Sequence, residues 1–551
     1  MTSRITIGIH DGHNASAAVI RDGKIELALQ EERLTRRKNQ GDAPAEVLQQ
    51  VVFREIAGAP ARVALNGLYV NYGQWERETI ENDYDRSAGW KQPLKGTFID
   101  RAYRKHKAAL REERLKDLGV EAMEPVEHHT AHASAAYFTS PSKDVLVFTC
   151  DGSGDRIAAT VSIGDKRIAE VSEHDSIGRL YALVTRYLGM SPLEHEYKVM
   201  GLAPYAGGGE RVQRMAQVFL DLFEFHGLAW RRRKGVPSMY GSRDFLAGLV
   251  SGARFDVIAA GAQMFIEQML SQWVRNAIRE TGIRKIACSG GVFMNVKANL
   301  ALLELSEVET MYVFPSCGDE SNSIGAACYV AARSGERIQP LSAIYYGDPI
   351  TDEEVEQALR SARGIKARFC SDIESVTAEN LAEGKIVARA KGPVEFGARA
   401  LGNRSILARA DSPTAVRTIN QMIKNRDFWM PFAPSVLAER AGDYYSKPKP
   451  VSSPYMMFAF PSRPEKRAAF SAAMHAWDFT TRPHEVEESH NPAYHRLLKE
   501  YEARTGEGIV LNTSFNLHGD PIVYRATDAL SVFERSGLDR MALGNWWVEK
   551  I

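Results

Sequence analysis

One plan of β structure occurs twice in this chain: a strand, an acidic glycine-bearing loop, a second strand, a tight turn and a third strand. Residues 4–33 read RITIGIH, the loop DGHNA, SAAVIR, a turn at Asp22-Gly23 and KIELALQEER. Residues 144–171 read DVLVFTC, the loop DGSGD, IAATVSI, a turn at Gly164-Asp165 and KRIAEV. Asp and Gly between alternating runs signal a hairpin, because they accept the positive φ that such turns require. The two stretches share a plan more than residues, so the chain contains a structural duplication.

That layout is the one used by the duplicated ribonuclease-H-like fold of actin, Hsp70 and the sugar kinases, which hold a nucleotide between their halves. The fold class expected is therefore α/β, with a duplicated ribonuclease-H-like domain over residues 1–342 and a second α/β domain over 343–551. The joint is placed at Pro340–Pro349, where the helical pattern breaks, and Thr351 to Ala362 restarts as a helix. A length of 551 residues exceeds what one core accommodates. Lys plus Arg and Asp plus Glu both number 69, so bulk charge argues against nucleic-acid or membrane partners. Five cysteines without C-x-x-C spacing, no apolar run of membrane length and an early His10-Asp11 lead us to expect a cytoplasmic protein.

Between the two β units lies EHHTAHASAAYFTSP. On a helix, His128 and His132 share one face and reach one ion, and Asp151, delivered by the strand Val145–Cys150, adds an oxygen ligand. Thr130 replaces the glutamate of a zincin motif. Gly152, Ser153, Gly154 and Asp155 are expected to turn with backbone N–H groups open to a phosphate. Gly290 and Gly291, followed by Asn295, end a strand before a helix and offer a second nucleotide contact. Asp319 is either an N-cap or a fourth ligand beside His128, His132 and Asp151; two nitrogens and two oxygens suit iron(II), manganese or zinc.

His195, Glu196 and Lys198 precede a Gly-Leu-Ala-Pro turn and read as either a cleft or an exposed segment. Residues 34–125 carry Tyr69, Tyr72, Trp75, Tyr84 and Trp90, which suit an insertion with its own small core or a surface for an organic acceptor. The charges from Arg101 to Leu118 read as a solvated helix without chemistry. Residues 384–430 hold nine basic side chains against Glu395, Asp411 and Asp427, a local surplus that suits a small phosphorylated ligand. Asn512, Thr513, Ser514 and Asn516 end an apolar strand with short polar groups.

Taken together, HHTAHASAAYFTSP, DGSGD, HEYKVMGLAPY, SGGVFMN, CGDESNSIGAA, EFGARALGNRSIL, INQMIKNRDFWMPFAPSV and LNTSFN resemble the NodU/CmcH family of O-carbamoyltransferases, over nearly the whole chain. The resemblance implies a first domain similar to the TsaD-type transferase and a second similar to YrdC. It implies that the YrdC-like domain converts carbamoyl phosphate and ATP, with Mg, to carbamoyl adenylate and pyrophosphate. The first domain would then pass the carbamoyl group to a hydroxyl of a small-molecule natural product such as an antibiotic, with a bound divalent metal, iron by analogy. Carried over by motif, His128, His132, Asp151 and Asp319 are the metal ligands. His13 is the base for the acceptor hydroxyl, Arg399 and Lys424 are catalytic, and Arg399, Lys424, Arg482, Ser514 and Asn512 hold the adenylate. Ala398 stands where the family has proline, and TTRPHEV lacks the glutamine that accompanies the family arginine aligned with Arg482. A tRNA threonylcarbamoyl-type transferase and a non-catalytic nucleotide-binding regulator are the competing readings, and a homodimer is an open option for assembly. Acceptor specificity is expected in residues 60–120 or 205–250.

Overall fold

The computed structural model describes residues 4–68, 77–85, 98–120, 122–424 and 426–551. Tyr69, Tyr72, Trp75 and Trp90 lie outside the described residues. The chain divides into two compact units, one comprising Met1–Glu31 with Asn39–Leu341 and the other Glu32–Lys38 with Ser342–Ile551. No sequence pattern marks Glu32–Lys38 as part of the second unit.

The duplication is present strand for strand. β1 (Ile5–His10), β2 (Ser16–Arg21) and β3 (Lys24–Gln30) form an antiparallel meander, and β4 (Ala61–Asn66) and β5 (Glu124–Val126) add parallel to β1, in the order β3-β2-β1-β4-β5. In the second half, β6 (Leu146–Gly154), β7 (Ile157–Ile163) and β8 (Lys166–Ser172) repeat the meander. A short hairpin of β9 (Phe223–His226) and β10 (Ala229–Arg232) intervenes, and then β11 (Lys285–Ser289) and β12 (Thr310–Val313) add parallel to β6. The order β12-β11-β6-β7-β8 matches the first sheet position by position. This is the ribonuclease-H-like topology in both halves. Asp22 and Gly23 both take positive φ, 49° and 78°, as a type I′ hairpin requires.

Two helices carry the site of the first unit. His128–Thr139 starts where the Glu127 side chain accepts from His129 N and Thr130 N, both at 2.9 Å, and stops at extended Ser140 before Pro141. Asn322–Arg333 follows β12. Ala131 and Ala326, both fully buried, meet in one cluster with Ala64, Val126 and Val330, so small side chains let the two helices approach closely over β4 and β5.

The second unit is built on an eight-stranded sheet in which the strand Ile509–Ser514 lies between Arg404–Arg409 and Ala433–Leu437. Its core includes Leu407, Leu437, Tyr494, Leu497, Leu498, Tyr501 and Trp547. Asp352–Ser361 is helical with Thr351 as its N-cap, as the periodicity predicts.

Two local expectations shift along the chain. The turn in DGSGD comes late: β6 runs on through Gly154, with an irregularity between Cys150 and Gly154, and the hairpin turn falls on Asp155 and Arg156 at φ of 48° and 73°. The Gly-Leu-Ala-Pro turn also comes later than expected, because Glu196–Leu202 is an α-helix and the 3-10 turn that follows covers Ala203–Ala206. A proline is accommodated there because it enters near the start of that last turn, where its missing N–H costs little. Among the described residues no single helix is long and apolar enough to cross a membrane, and all five cysteines are buried and unpaired with one another.

Candidate metal centre and anion site

His128, His132, Asp151 and Asp319 converge, each offering one ligand atom, with all four atoms within 4.8 Å of one another. His128 Nε2 lies 3.3 Å from Asp151 Oδ2 and 3.4 Å from Asp319 Oδ1; His132 Nε2 lies 3.7 and 3.4 Å from the same oxygens. Ligands about 2.0–2.2 Å from a shared tetrahedral ion stand roughly 3.3–3.6 Å apart, and the four imidazole–carboxylate separations lie close to that range. Asp319 does not cap its helix. Its Oδ1 is buried and has no hydrogen-bond partner among the described residues, an expensive state for a carboxylate unless a cation meets it. The donor set and the orphaned oxygen together fit a divalent metal.

The supports around the four are specific. Asp151 Oδ1 accepts from Gly291 N at 3.2 Å, and Gly290 at φ 103° passes so close to the metal strand that a Cβ on it would sit 2.3 Å from Cys150 O. The Gly-Gly pair thus positions Asp151 rather than presenting its N–H groups to a nucleotide. Asn295 caps the following helix through Ala298 N at 3.0 Å and pairs with Gln263. His132 Nδ1 lies 3.3 Å from Ser289 Oγ, which leaves Nε2 directed at the carboxylates. Asp155 accepts from His128 N at 2.9 Å and from Leu68 N at 3.0 Å, so its carboxylate fixes the start of the histidine helix. Ser153 Oγ lies 2.6 Å from Tyr240 OH. His129 turns away from the ligands: its Nε2 donates to Ile157 O at 3.0 Å and its Nδ1 accepts from Thr149 at 2.8 Å. Burial, then the neighbouring His128, push its pKa down to about 3.

Burial alone would lower the ligand imidazoles, but Asp319 and Asp151 outweigh it and raise His128 well above the ordinary 6.5, and His132 above it as well. A metal therefore competes with protons for these nitrogens. Its apparent affinity should climb with pH through the ordinary imidazole range and beyond it, as metal content after dialysis at stepped pH would record. Gly154 is needed for a different reason. A Cβ there would stand 2.1 Å from His128 Cγ and Cδ2. Gly154→Ala should displace that ring and weaken metal binding about 10–100-fold, the scale of supporting-residue losses, in a competition titration with a chelating dye.

His13 sits in the loop after β1 and is buried. Its carbonyl accepts from His10 Nε2 at 2.8 Å, and His10 Nδ1 lies 2.8 Å from Asn66 Nδ2. Burial lowers the His10 pKa to about 4, with Asp319 and His128 among the charges acting on it, so His10 is neutral beside the metal ligands. Sequence reasoning missed His10. Glu196, for which the sequence left a cleft and an exposed segment open, has its pKa raised by burial to about 7, with the charges of Glu194 and Asp151 adding to the effect. Tyr84, from the expected insertion, has its ring 4.3 Å from the Arg179 guanidinium, and Tyr240 flanks that cation from 3.8 Å.

In the second unit the basic surplus is partly structural. Arg389 donates to Gly402 O and Asn403 Oδ1, and Arg404 to Tyr524 O and Gly392 O; both are buried braces of the GARALG loop. Lys391 pairs with Glu374 and Arg409 with Asp411. Lys424 differs. It is buried, and its Nζ donates to Ser514 Oγ at 3.1 Å, Asn516 O at 3.1 Å and Asn516 Oδ1 at 2.8 Å, with no carboxylate in ion-pairing reach among the described residues. Burial, Arg426 and Lys38 hold its pKa well below the ordinary lysine value. A buried ammonium among neutral oxygens and other cations is a seat for an anion. Arg426 reaches Thr513 Oγ1 at 3.0 Å. Asn512 Nδ2 ties Ala400 O and Ser435 Oγ at 3.0 and 2.9 Å and so anchors the loop carrying Arg399. Arg482 precedes His484, which pairs with Ser435; by register it lies at the sheet end where Ala433 faces Asn512.

Residues 5–328 match the family model described as carbamoyltransferase N-terminus, and residues 378–550 match that described as carbamoyltransferase C-terminus. The chain belongs to the carbamoyltransferase family. This carbamoyltransferase is 31% identical over 566 residues to the nodulation protein NolNO of Sinorhizobium fredii, across 98% of this chain and 79% of that one. It is 32% identical over 446 residues to NolO of Bradyrhizobium diazoefficiens, across 77% and 78% of the two chains. Among solved structures, full-length HypF in its phosphate- and nucleotide-bound form aligns over 61% of this chain and 56% of its own, at 14% identity and a TM-score of 0.33. The carbamoyltransferase therefore carries its four-donor centre in the part matched by the N-terminal model and its buried lysine in the part matched by the C-terminal one.

Proposed function

We propose that this carbamoyltransferase works in two steps on two sites. In the second, YrdC-like unit, carbamoyl phosphate, Mg-ATP and water give carbamoyl adenylate, pyrophosphate and phosphate. In the first unit the carbamoyl group then passes from the adenylate to a hydroxyl of a small-molecule natural product, releasing AMP. The observation that carries this reading is Lys424, a buried cation with only neutral oxygens for partners, in a unit separate from the His/His/Asp/Asp set. Lys424 and Arg426 neutralise phosphate oxygens, Ser514 holds one of them, and Arg399 and Arg482 clamp the ligand with guanidinium forks.

A carbamoyl group is a poor electrophile until it has a good leaving group, which adenylation provides. A divalent ion held by His128, His132, Asp151 and Asp319 would supply Lewis acidity where charge develops on the carbamoyl oxygen, and iron(II), manganese or zinc suits these donors. His13 takes the proton of the acceptor hydroxyl as it attacks. Because a mixed anhydride hydrolyses, carrying both sites on one chain raises the local concentration at which the second meets it.

A pyrophosphate-release assay with ATP and without acceptor tests the first step. Release that requires carbamoyl phosphate supports the reading; folded, metal-loaded protein that releases none under any combination sinks it.

A further inference from the structure

The helix Phe98–Asp117 is exposed along most of its described side chains, yet its Arg111 is 3% exposed. Arg111 Nε and Nη2 grip the two oxygens of Asp11 at 2.7 and 2.5 Å, Nη1 donates to Gly67 O at 2.7 Å, and Nη2 also donates to Asn66 O. Asp11 is as deeply buried as its partner. Desolvating such a pair is costly, and the full set of hydrogen bonds offsets that cost without making the pair an efficient source of stability. Its geometry points to another use.

Asp11 opens the loop that carries His13. Asn66, whose carbonyl Arg111 holds, turns its side chain to His10 Nδ1 at 2.8 Å, and His10 Nε2 donates to His13 O at 2.8 Å. The far end of the loop is held as well, since Ser16 Oγ lies 2.8 Å from both Glu320 O and Ser323 Oγ, on the turn that bears the metal ligand Asp319. A Cβ on Gly12 would stand 2.7 Å from His10 Cε1, so the imidazole also fills the inside of the loop. One guanidinium thus braces both routes into His13, directly through Asp11 and indirectly through Asn66 and His10.

We propose that Arg111 is a positioning residue for carbamoyl transfer: from the helix Phe98–Asp117 it fixes the Asp11–His13 loop, whose far end Ser16 ties to the Asp319 turn, so that the His13 imidazole is held in one place. The inference rests on the reading of His13 as the base for the acceptor hydroxyl.

The test is site-by-site carbethoxylation of the full chain, metal-loaded as purified, by diethyl pyrocarbonate, with each histidine followed by peptide mass spectrometry. In Arg111→Met the His13 rate should rise about tenfold or more, the factor by which losing a charge-assisted brace eases local opening. His129 and His484, both buried elsewhere, should stay as slow as in the wild type, and a low, non-denaturing concentration of guanidinium chloride should slow His13 again. Asp11→Asn, which keeps the shape of the pair, should give a smaller rise of the same kind and decides the matter where Arg111→Met does not fold. An unchanged His13 rate in both variants, or a rise shared equally by His129 and His484, overturns the proposal. His13→Gln separates it from the reading beneath it. Carbamoyl adenylate consumed as fast as in the wild type removes His13 as the base and leaves the bracing result intact; adenylate that persists in His13→Gln, with the His13 carbethoxylation rate unchanged in both Arg111→Met and Asp11→Asn, keeps His13 as the base and overturns Arg111 alone.

Discussion

Replacing His132 by alanine is expected to empty the metal centre and slow carbamoyl transfer by about 10³-fold or more, the factor that several kcal/mol of lost charge stabilisation produces. The expectation follows from geometry. His132 is fully buried, and its Nε2 is 3.4 Å from Asp319 Oδ1 and 3.7 Å from Asp151 Oδ2. Two carboxylates would then share a buried site with one imidazole. Metal analysis of the purified variant should find the ion lost or greatly reduced, whereas pyrophosphate release, assigned to the other unit, should persist. A variant that keeps its metal and its transfer rate would show that the four-donor set is not where the transfer occurs.

Lys424→Met is expected to abolish carbamoyl-phosphate-dependent pyrophosphate release and to make the ligand-free protein more stable. Methionine fills nearly the same volume without a charge, and removing a buried ammonium that has no anionic partner relieves about 1–3 kcal/mol. The sign of the pH dependence follows from the lowered pKa of Lys424. Between that folded-state value and the unfolded value of about 10.4 the unfolded chain binds the extra proton, so stability rises with pH through this window and the full penalty applies below it. Lys424→Met should flatten that rise. Denaturant midpoints for both proteins across pH, with carbamoyl phosphate and ATP absent, would read the difference. A destabilised variant would mean that Lys424 is a structural brace like Arg389 and Arg404.

What the sequence made legible was local. Alternation and positive-φ turn residues announce the two meanders, because strands joined by hairpins are neighbours in the chain. The spacing of His128 and His132 shows that they share a face, because four residues make about one helical turn. Asp319 stood out only by following a strand into a helix, and an N-cap would have looked the same. The misses are tertiary. Glycines in DGSGD suggested a phosphate loop, yet Gly154 is there so that the His128 ring can lie against it, and Gly291 serves Asp151. Arg111 and Arg114 look alike on a charged helix until Asp11, 100 residues away, shows which of them is buried. Arg399, Arg389 and Arg404 crowd one basic stretch, and only the fold reveals that two of the three spend their guanidinium groups on backbone carbonyls. His10 gives no signal at all, because its partners are Asn66 and the carbonyl of His13.

On the proposed division of labour, one unit makes the activated carbamoyl group and the other transfers it. The most direct measurement is an acid-quenched reaction with labelled carbamoyl phosphate and ATP, resolved by chromatography, in the wild type, His132→Ala and Lys424→Met. Carbamoyl adenylate should accumulate in His132→Ala and never form in Lys424→Met. Adenylate absent from both variants, or present in Lys424→Met, would contradict that division.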